Sequence, residues 1–413
     1  MIKRRLTLLV IFLLFLAANM PIAASATEQS LQLYSETAIL IDGDTGQILF
    51  ALNMHQQMHP ASITKIMTAL VALEHGNMDD IITMSYDAVF SIGRRASHIA
   101  LVPGEQLTLA NAMYANAITS ANDASNGIAE HIGGTIENFA AMMNQRAIEA
   151  GALNTNFTNA HGLHHAQHLT TAYDMARIMM QAIRFPTFTE MFGAQRHDIP
   201  PTNQQAQTRH LWTTNTMVSG RYAYDGFLAG KTGFTTPSGH TLVTAARRDG
   251  RTLIAVVMQS ASRRGSRVDT EMLLDHGFEA FAQVKFTPEE LSRENFLAGD
   301  ITTDLVAGNG ISLLIPNEYS KDDIDVIHVY ENGMTRVIFS LNESVLGKLE
   351  MQADFNLSAS DELAEPENGN FAWWMWPLGI LGALLLGWGG PELVSLVVMR
   401  RLRRNKPTAH ARS

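Results

Sequence analysis

The 413-residue chain contains no cysteine. Disulfides, thiol catalysis and thiolate metal centres are therefore excluded. There is also no H-E-x-x-H helix, no phosphate-cradling glycine loop and no G-x-S-x-G elbow. The zinc-protease, P-loop and α/β-hydrolase classes thus lack their signatures. Charge is sparse, at 17% of residues, and its balance is acidic, with a formal net charge of -10 at pH 7. A nucleic-acid partner is not expected, because neutralising phosphates requires a cationic surface. No internal repeat is visible.

Long apolar runs occur only at the two ends. Lys3, Arg4 and Arg5 precede the stretch Leu6 to Ala17, and Ala24-Ser25-Ala26 supplies small residues for a signal peptidase. Residues 1–26 therefore read as a secretory signal peptide. From Phe371 to Met399 the only charged residue is Glu392. At about 1.5 Å per residue such a helix crosses a hydrocarbon core of about 30 Å. Trp373, Trp374 and Trp376 stand at its start, and Arg400, Arg401, Arg403, Arg404 and Lys406 follow it. The positive flank is expected to stay in the cytoplasm. This gives a single-pass cell-membrane protein, with residues 371–399 as transmembrane helix and 400–413 as basic cytoplasmic tail. The bulk of the chain then lies on the extracytoplasmic side. Pro377, Pro391 and Glu392 count against one straight span, and a kinked or partly interfacial helix is the competing reading.

Between these ends the texture changes along the chain. Ala38-Ile39-Leu40-Ile41 and Ile48-Leu49-Phe50-Ala51 flank Asp42-Gly43-Asp44-Thr45-Gly46, the pattern of a hairpin. Ser62 to His75 carries Ile63, Ile66, Met67, Leu70 and Leu73 at helical period and is followed by Gly76. Further helices are expected near 109–118, 123–132, 136–150 and 171–183. Strands return at 241–246 and 252–258, joined through Asp249-Gly250, and a helix closes the domain at 271–281. Strands at both ends with helices between them make an α+β domain with an antiparallel sheet. Alternation at 324–330 and 335–341, flanking Asn332-Gly333, predicts a small all-β domain over 284–356. Residues 357–370 are polar and acidic and read as a linker.

Three short motifs could carry chemistry. In Ser62-Ile63-Thr64-Lys65 a helical spacing of three places the amine beside the hydroxyl. A serine needs a base, and a lysine whose pKa is lowered can be one. An isolated S-x-x-K is more often a helix-capping serine with a surface lysine. Ser120-Ala121-Asn122 and Lys231-Thr232-Gly233 are each weak alone. Together, in this order, the three match the trio of the penicillin-recognising serine enzymes. His161, His164, His165 and His168 form a cluster without a matching carboxylate helix. They read as solvated loop histidines rather than a zinc site, so no metal and no cofactor is expected.

The surroundings of the motifs sharpen the match. The segment from Pro60 to Thr68, with Ser120 to Ala124, Asn159-Ala160-His161-Gly162-Leu163 and Lys231 to Thr235, resembles the D-alanyl-D-alanine carboxypeptidases, the low-molecular-mass penicillin-binding proteins. The resemblance runs from about Thr37 to Phe281. The chain departs from the pattern at Gly230, at Ser238-Gly239 where Ala-Gly is usual, and at Ala160 where proline is common. The resemblance implies a penicillin-binding/β-lactamase-like transpeptidase fold over 27–283, an antiparallel sheet with a helical subdomain. It implies Ser62 as nucleophile, Lys65 as base and Ser120 as proton relay. It further implies Asn122, Lys231, Thr232, Gly233 and Phe234 as substrate-binding, with backbone N–H groups of Ser62 and Phe234 as oxyanion hole. The expected substrate is the peptidoglycan pentapeptide stem, with β-lactam antibiotics as covalent inhibitors. A β-lactamase, a D,D-endopeptidase or a wall-organising protein that stays acylated are the rival readings.

Overall fold

The computed structural model describes residues 31–93, 95–218, 220–287, 290–291, 296–298, 301–305, 310–331, 334–354 and 396–398. The signal-peptide, linker and cytoplasmic-tail readings lie outside them, as does all of the proposed span except Leu396–Val398. The described residues divide into two compact units, one up to residue 282 and one from 283 onward.

The first unit runs β1 (Ser35–Asp42), β2 (Ile48–Leu52), α1 (Lys65–His75), β3 (Ile81–Thr83), α2 (Tyr86–Phe90), β4 (Gln106–Thr108), α3 (Leu109–Tyr114), α4 (Asn122–Gly133), α5 (Ile136–Glu149), α6 (Ala172–Ala182), α7 (Pro186–Gly193), β5 (Arg196–Ile199), β6 (Arg209–Trp212), β7 (Phe227–Thr235), β8 (Gly239–Arg248), β9 (Arg251–Ser260) and α8 (Arg263–Ala280). The β1–β2 turn closes because Asp42 Oδ1 accepts the N–H groups of Asp44 and Thr45, an Asx-type turn. The outer edge of β1 then pairs with β9, giving a five-stranded antiparallel sheet in the order β2-β1-β9-β8-β7. Helices α6 and α8 both pack across β1, β8 and β9, and Leu253 to Met258 are all fully buried at consecutive positions. A sheet covered on both faces reads as an unbroken apolar run rather than an alternating one.

The helical subdomain is inserted between β2 and β7. Its centre is α1, buried from Lys65 to Ala72 without a polar face, as a helix enclosed by others must be; α4, α5 and α6 surround it. Four of the expected helices appear at their places. The closing helix α8 starts two turns earlier than its apolar spacing suggests, because Ser262 caps it by accepting the Gly265 N–H. The two-stranded pairs β3–β4 and β5–β6 and the short helices α2 and α7 are additions that the sequence pattern does not announce.

From Phe281 onward the chain runs β10 (Phe281–Phe286), which starts at the end of the first unit, and then, in the second unit, β11 (Phe296–Ala298), β12 (Ile301–Leu305), β13 (Ile311–Pro316), β14 (Asp325–Glu331), β15 (Met334–Leu341), β16 (Ser344–Asp354) and β17 (Leu396–Val398). Strands β10 and β13 pair, and the other six form one sheet. Phe286, Leu313, Ile315, Val337 and Phe339 make its core. The all-β texture matches the alternation in the sequence. Strand β17 pairs with His328–Tyr330 of β14, so the described end of the segment read as a membrane helix is extended. Among the described residues no helix is long and apolar enough to cross a membrane.

Candidate active site

Pro60 leads into a 3-10 turn, Ala61–Thr64, that ends where α1 begins. Ser62 is therefore in the turn, and Lys65 is the first residue of the α-helix. Ala61 sits at φ 51 in the left-handed region, a conformation that costs an L-residue about 1–2 kcal/mol and that marks functional turns. It is held by two close approaches. Gly162, at φ +84, lies so near the Ala61 carbonyl that a Cβ there would overlap it, and Gly233 of β7 would place a Cβ 2.9 Å from Ser62 N. Thr241 Oγ1 of β8 donates to Pro60 O at 2.9 Å. The edge strand is thus fastened against the turn, and Gly233–Phe234 runs beside the Ser62 amide. A Gly162→Ala protein is expected to lose about 2–4 kcal/mol of stability, the sum of left-handed strain and overpacking. Urea denaturation measures this, and a wild-type midpoint would show that the approach is not tight.

Lys65 has no exposed surface, which rules out the surface-lysine reading of this motif. Its Nζ donates to Ser62 Oγ at 3.3 Å, to Asn122 Oδ1 at 2.6 Å and to the His161 carbonyl at 2.6 Å. Burial, and then the neighbouring Lys231 ammonium, push its pKa well below that of an ordinary lysine. Lys231 is buried in the middle of β7, its Nζ on Thr232 O at 2.8 Å, and burial lowers its pKa to about 7.

The second motif is built by an irregular helix end. After α3 the chain makes one wide turn, Ala115–Thr119, and Ser120 leaves it at φ 60, ψ 37 with its N–H on Ala115 O. Wide turns of this kind recur at functional sites. Ser120 Oγ is buried and has no hydrogen-bond partner among the described residues. Asn122 then opens α4, and its N–H bonds Ser97 O at 2.8 Å. The buried Asp123 carboxylate accepts the N–H groups of Ile99, Leu101 and Ala124, which fixes the 97–101 loop at the rim.

These pieces face one cleft of about 320 Å³ lined by Ser62, Ser120, Asn122, Thr232, Gly233 and Phe234 among others. Each of these was expected from the sequence, and the two lysines stand behind them. Arg95, His240, Thr241, Arg263 and Ser266 also line it, and among the described residues no Asp or Glu does. The cleft of an acidic protein is therefore cationic, suited to an anionic group. Sequence reasoning missed Arg263 and Ser266 because they lie in the first turn of α8, before its apolar spacing begins. It also misread the histidines. His164 and His165 are exposed, but His168 is buried. Its Nδ1 accepts the Thr158 N–H at 2.9 Å and its Nε2 bonds Thr64 Oγ1 at 2.8 Å. A ring satisfied on both nitrogens has a structural use rather than a solvated one. Among the described residues no group of three or more His, Asp or Glu is arranged to hold a metal.

The sequence profile for D-alanyl-D-alanine carboxypeptidase matches residues 23–262. The D-alanyl-D-alanine carboxypeptidase DacF of Bacillus subtilis is 33% identical over 252 residues, 60% of this chain and 63% of that protein, so the match spans just under two thirds of its length. DacA of Haemophilus influenzae is 32% identical over 65% of this chain and 68% of its own. The crystal structure of penicillin binding protein 5 from Haemophilus influenzae superposes with a TM-score of 0.66 at 26% identity, covering 79% of this chain and 98% of that one. With the three motifs assembled on one cleft in that fold, the chain belongs to the D-alanyl-D-alanine carboxypeptidase family.

Proposed function

We propose that this protein is a serine-type D-alanyl-D-alanine carboxypeptidase that removes the terminal D-alanine from peptidoglycan pentapeptides through an acyl-enzyme on Ser62. The observation that carries the reading is the buried Lys65, in reach of the Ser62 hydroxyl and depressed in proton affinity, on a cleft with no carboxylate among its described lining residues. Ser62 Oγ attacks the carbonyl carbon of the penultimate D-alanine, and its proton passes to Lys65 Nζ. The oxyanion forms beside the N–H groups of Ser62 and Phe234, where one donor is worth about 3–4 kcal/mol. Its collapse breaks the peptide bond, and Ser120, with Lys231 behind it, hands a proton to the departing D-alanine amine. Asn122 holds the peptide amide, and Lys231 and Thr232 receive the terminal carboxylate. Water then attacks the ester, releases the shortened stem and returns the Ser62 hydroxyl. A β-lactam presents a strained amide to the same serine and stalls as the ester.

The same proposal places the catalytic unit outside the cell membrane. Its support is sequence alone: the N-terminal signal pattern, and the apolar segment 371–399 followed by five basic residues. One experiment addresses both parts. A protein lacking residues 371–413 should appear in the soluble exported fraction, release D-alanine from a D-Ala-D-Ala peptide and turn over a chromogenic β-lactam slowly. Rapid β-lactam hydrolysis without D-alanine release would make it a β-lactamase. Cleavage of cross-linked stems alone would make it an endopeptidase, and labelling without turnover of either substrate would make it a binder. Salt-resistant membrane retention would refute the tail anchor. Unfolding of the second unit on truncation would instead assign Leu396–Val398 to the β-sheet with β14.

A further inference from the structure

We propose that His168 is a positioning residue for acylation, locking the strained turn before Ser62 to the loop that holds Lys65. This inference rests on the reading of Ser62 as nucleophile.

The backbone N–H of Thr158 can only donate, so His168 Nδ1 is the acceptor of that 2.9 Å bond. The neutral ring then carries its proton on Nε2 and donates it to Thr64 Oγ1 at 2.8 Å. Thr64 in turn donates to Ala61 O at 2.8 Å. The chain Thr158 N–H, His168, Thr64, Ala61 has one direction throughout, and it ends on the carbonyl of the left-handed residue immediately before the nucleophile. Burial, and then His59, hold the His168 pKa near 3, so the ring keeps this single tautomer at neutral pH. The ring itself is fixed by its backbone, since His59 Nδ1 donates to His168 O at 3.0 Å, and by the edge of Phe157.

The segment that supplies the Thr158 N–H also supplies the Lys65 cradle. Ala160 O accepts from Thr68 Oγ1 at 2.6 Å and His161 O accepts from Lys65 Nζ at 2.6 Å. Residues 158–161 thus touch the base, and through His168 they reach the turn of the nucleophile. A small displacement between a nucleophile and its base can cost about 10²-fold in rate. His168 is not among the residues that line the cleft, yet its two ring nitrogens are committed to the two segments, Thr158 on one side and Thr64, 104 positions away, on the other.

The test measures the rate of acylation by a labelled penicillin, well below the melting temperature, in the full chain. His168→Ala and Thr64→Val should each slow acylation about 10- to 100-fold, and the double variant should be no slower than the slower single one, since both break one chain. His168→Gln offers a carbonyl to Thr158 and an N–H to Thr64, and should return the rate to within a few-fold of wild type. If His168→Ala does not fold, the glutamine variant and Thr64→Val decide. Wild-type rate in Thr64→Val, a glutamine variant as slow as the alanine one, or multiplying effects in the double variant would each overturn the proposal. Failure of the wild type to acylate would overturn the hydrolase reading instead. In that case the Ser62 amide resonance still reports the turn: Thr64→Val should shift it and His168→Gln should leave it in place.

Discussion

Ser62→Ala should abolish covalent labelling by penicillin and lower release of D-alanine by roughly 10⁶-fold, the size of the loss when a serine nucleophile is removed elsewhere. The fold should survive, because Ser62 is half-buried in a turn whose shape is set by Ala61, Gly162 and Gly233 rather than by the hydroxyl. Mass spectrometry of the digested wild-type adduct should find the label only on the peptide that contains Ser62. Ser120 is the informative competitor, since its Oγ is also buried, unpartnered among the described residues and on the same cleft. It has no lysine amine within hydrogen-bond reach in the structure, whereas Ser62 has Lys65 Nζ at 3.3 Å. Label on Ser120, or on any other serine, would reassign the nucleophile.

The second large effect is at Lys65. Lys65→Arg keeps a positive charge but cannot give up its proton, so acylation should fall by at least about 10³-fold, as loss of a general base does. Lys65→Met should fall as far, while unfolding at a higher denaturant concentration than wild type, because it removes a fully buried amine. The pH dependence has a definite sign. Since the folded pKa of Lys65 lies well below the ordinary lysine value, the neutral base is present above that pKa and lost as pH falls through it. The acylation rate should therefore drop on its acid side, and that limb should vanish in both variants. Stability follows the same lowered affinity. The unfolded chain holds the proton more tightly, so wild-type stability should rise with pH between the folded pKa and the ordinary lysine value of 10.5. An arginine variant that acylates at near wild-type rate would remove Lys65 from the role of base.

The difference between what the sequence announces and what only the fold reveals follows from the range of each interaction. Ser62 and Lys65 share a local turn, so their spacing of three is enough to pair them. The strands β1, β8 and β9 are legible because burial on both faces makes their sequences continuously apolar. The wide turn at Ala115–Thr119 is not legible, because nothing in Ala-Asn-Ala-Ile-Thr departs from ordinary helix composition; only the fold shows Ser120 in the left-handed region with its N–H on Ala115 O. The histidines mislead for a related reason. His168 is separated from Thr64 by 104 positions, and no local pattern distinguishes a ring that is buried on both nitrogens from its exposed neighbours His164 and His165. The extended Leu396–Val398 is a different matter, since three apolar residues suit a strand and a membrane helix equally.

The pairing of β1 with β9 also constrains the order in which this molecule can be made. The Ser35 hydroxyl reaches the Asp269 carboxylate across 234 positions, and Ser35 lies opposite Ser260 in the sheet. At a synthesis rate of about 5–20 residues per second, the first strands wait on the order of 10–50 s before their partner exists. During that interval the β1–β2 hairpin offers Ala38-Ile39-Leu40-Ile41 as an open apolar edge, the kind that seeds aggregation. The helices inserted after β2 have their own interior around α1 and can form while the sheet waits. Closure of the sheet is thus the late step, and it is also the step that brings Lys231 and Gly233 to Ser62. A nascent chain of this protein carries its nucleophile and its base early, but has no complete site until β7, β8 and β9 have emerged.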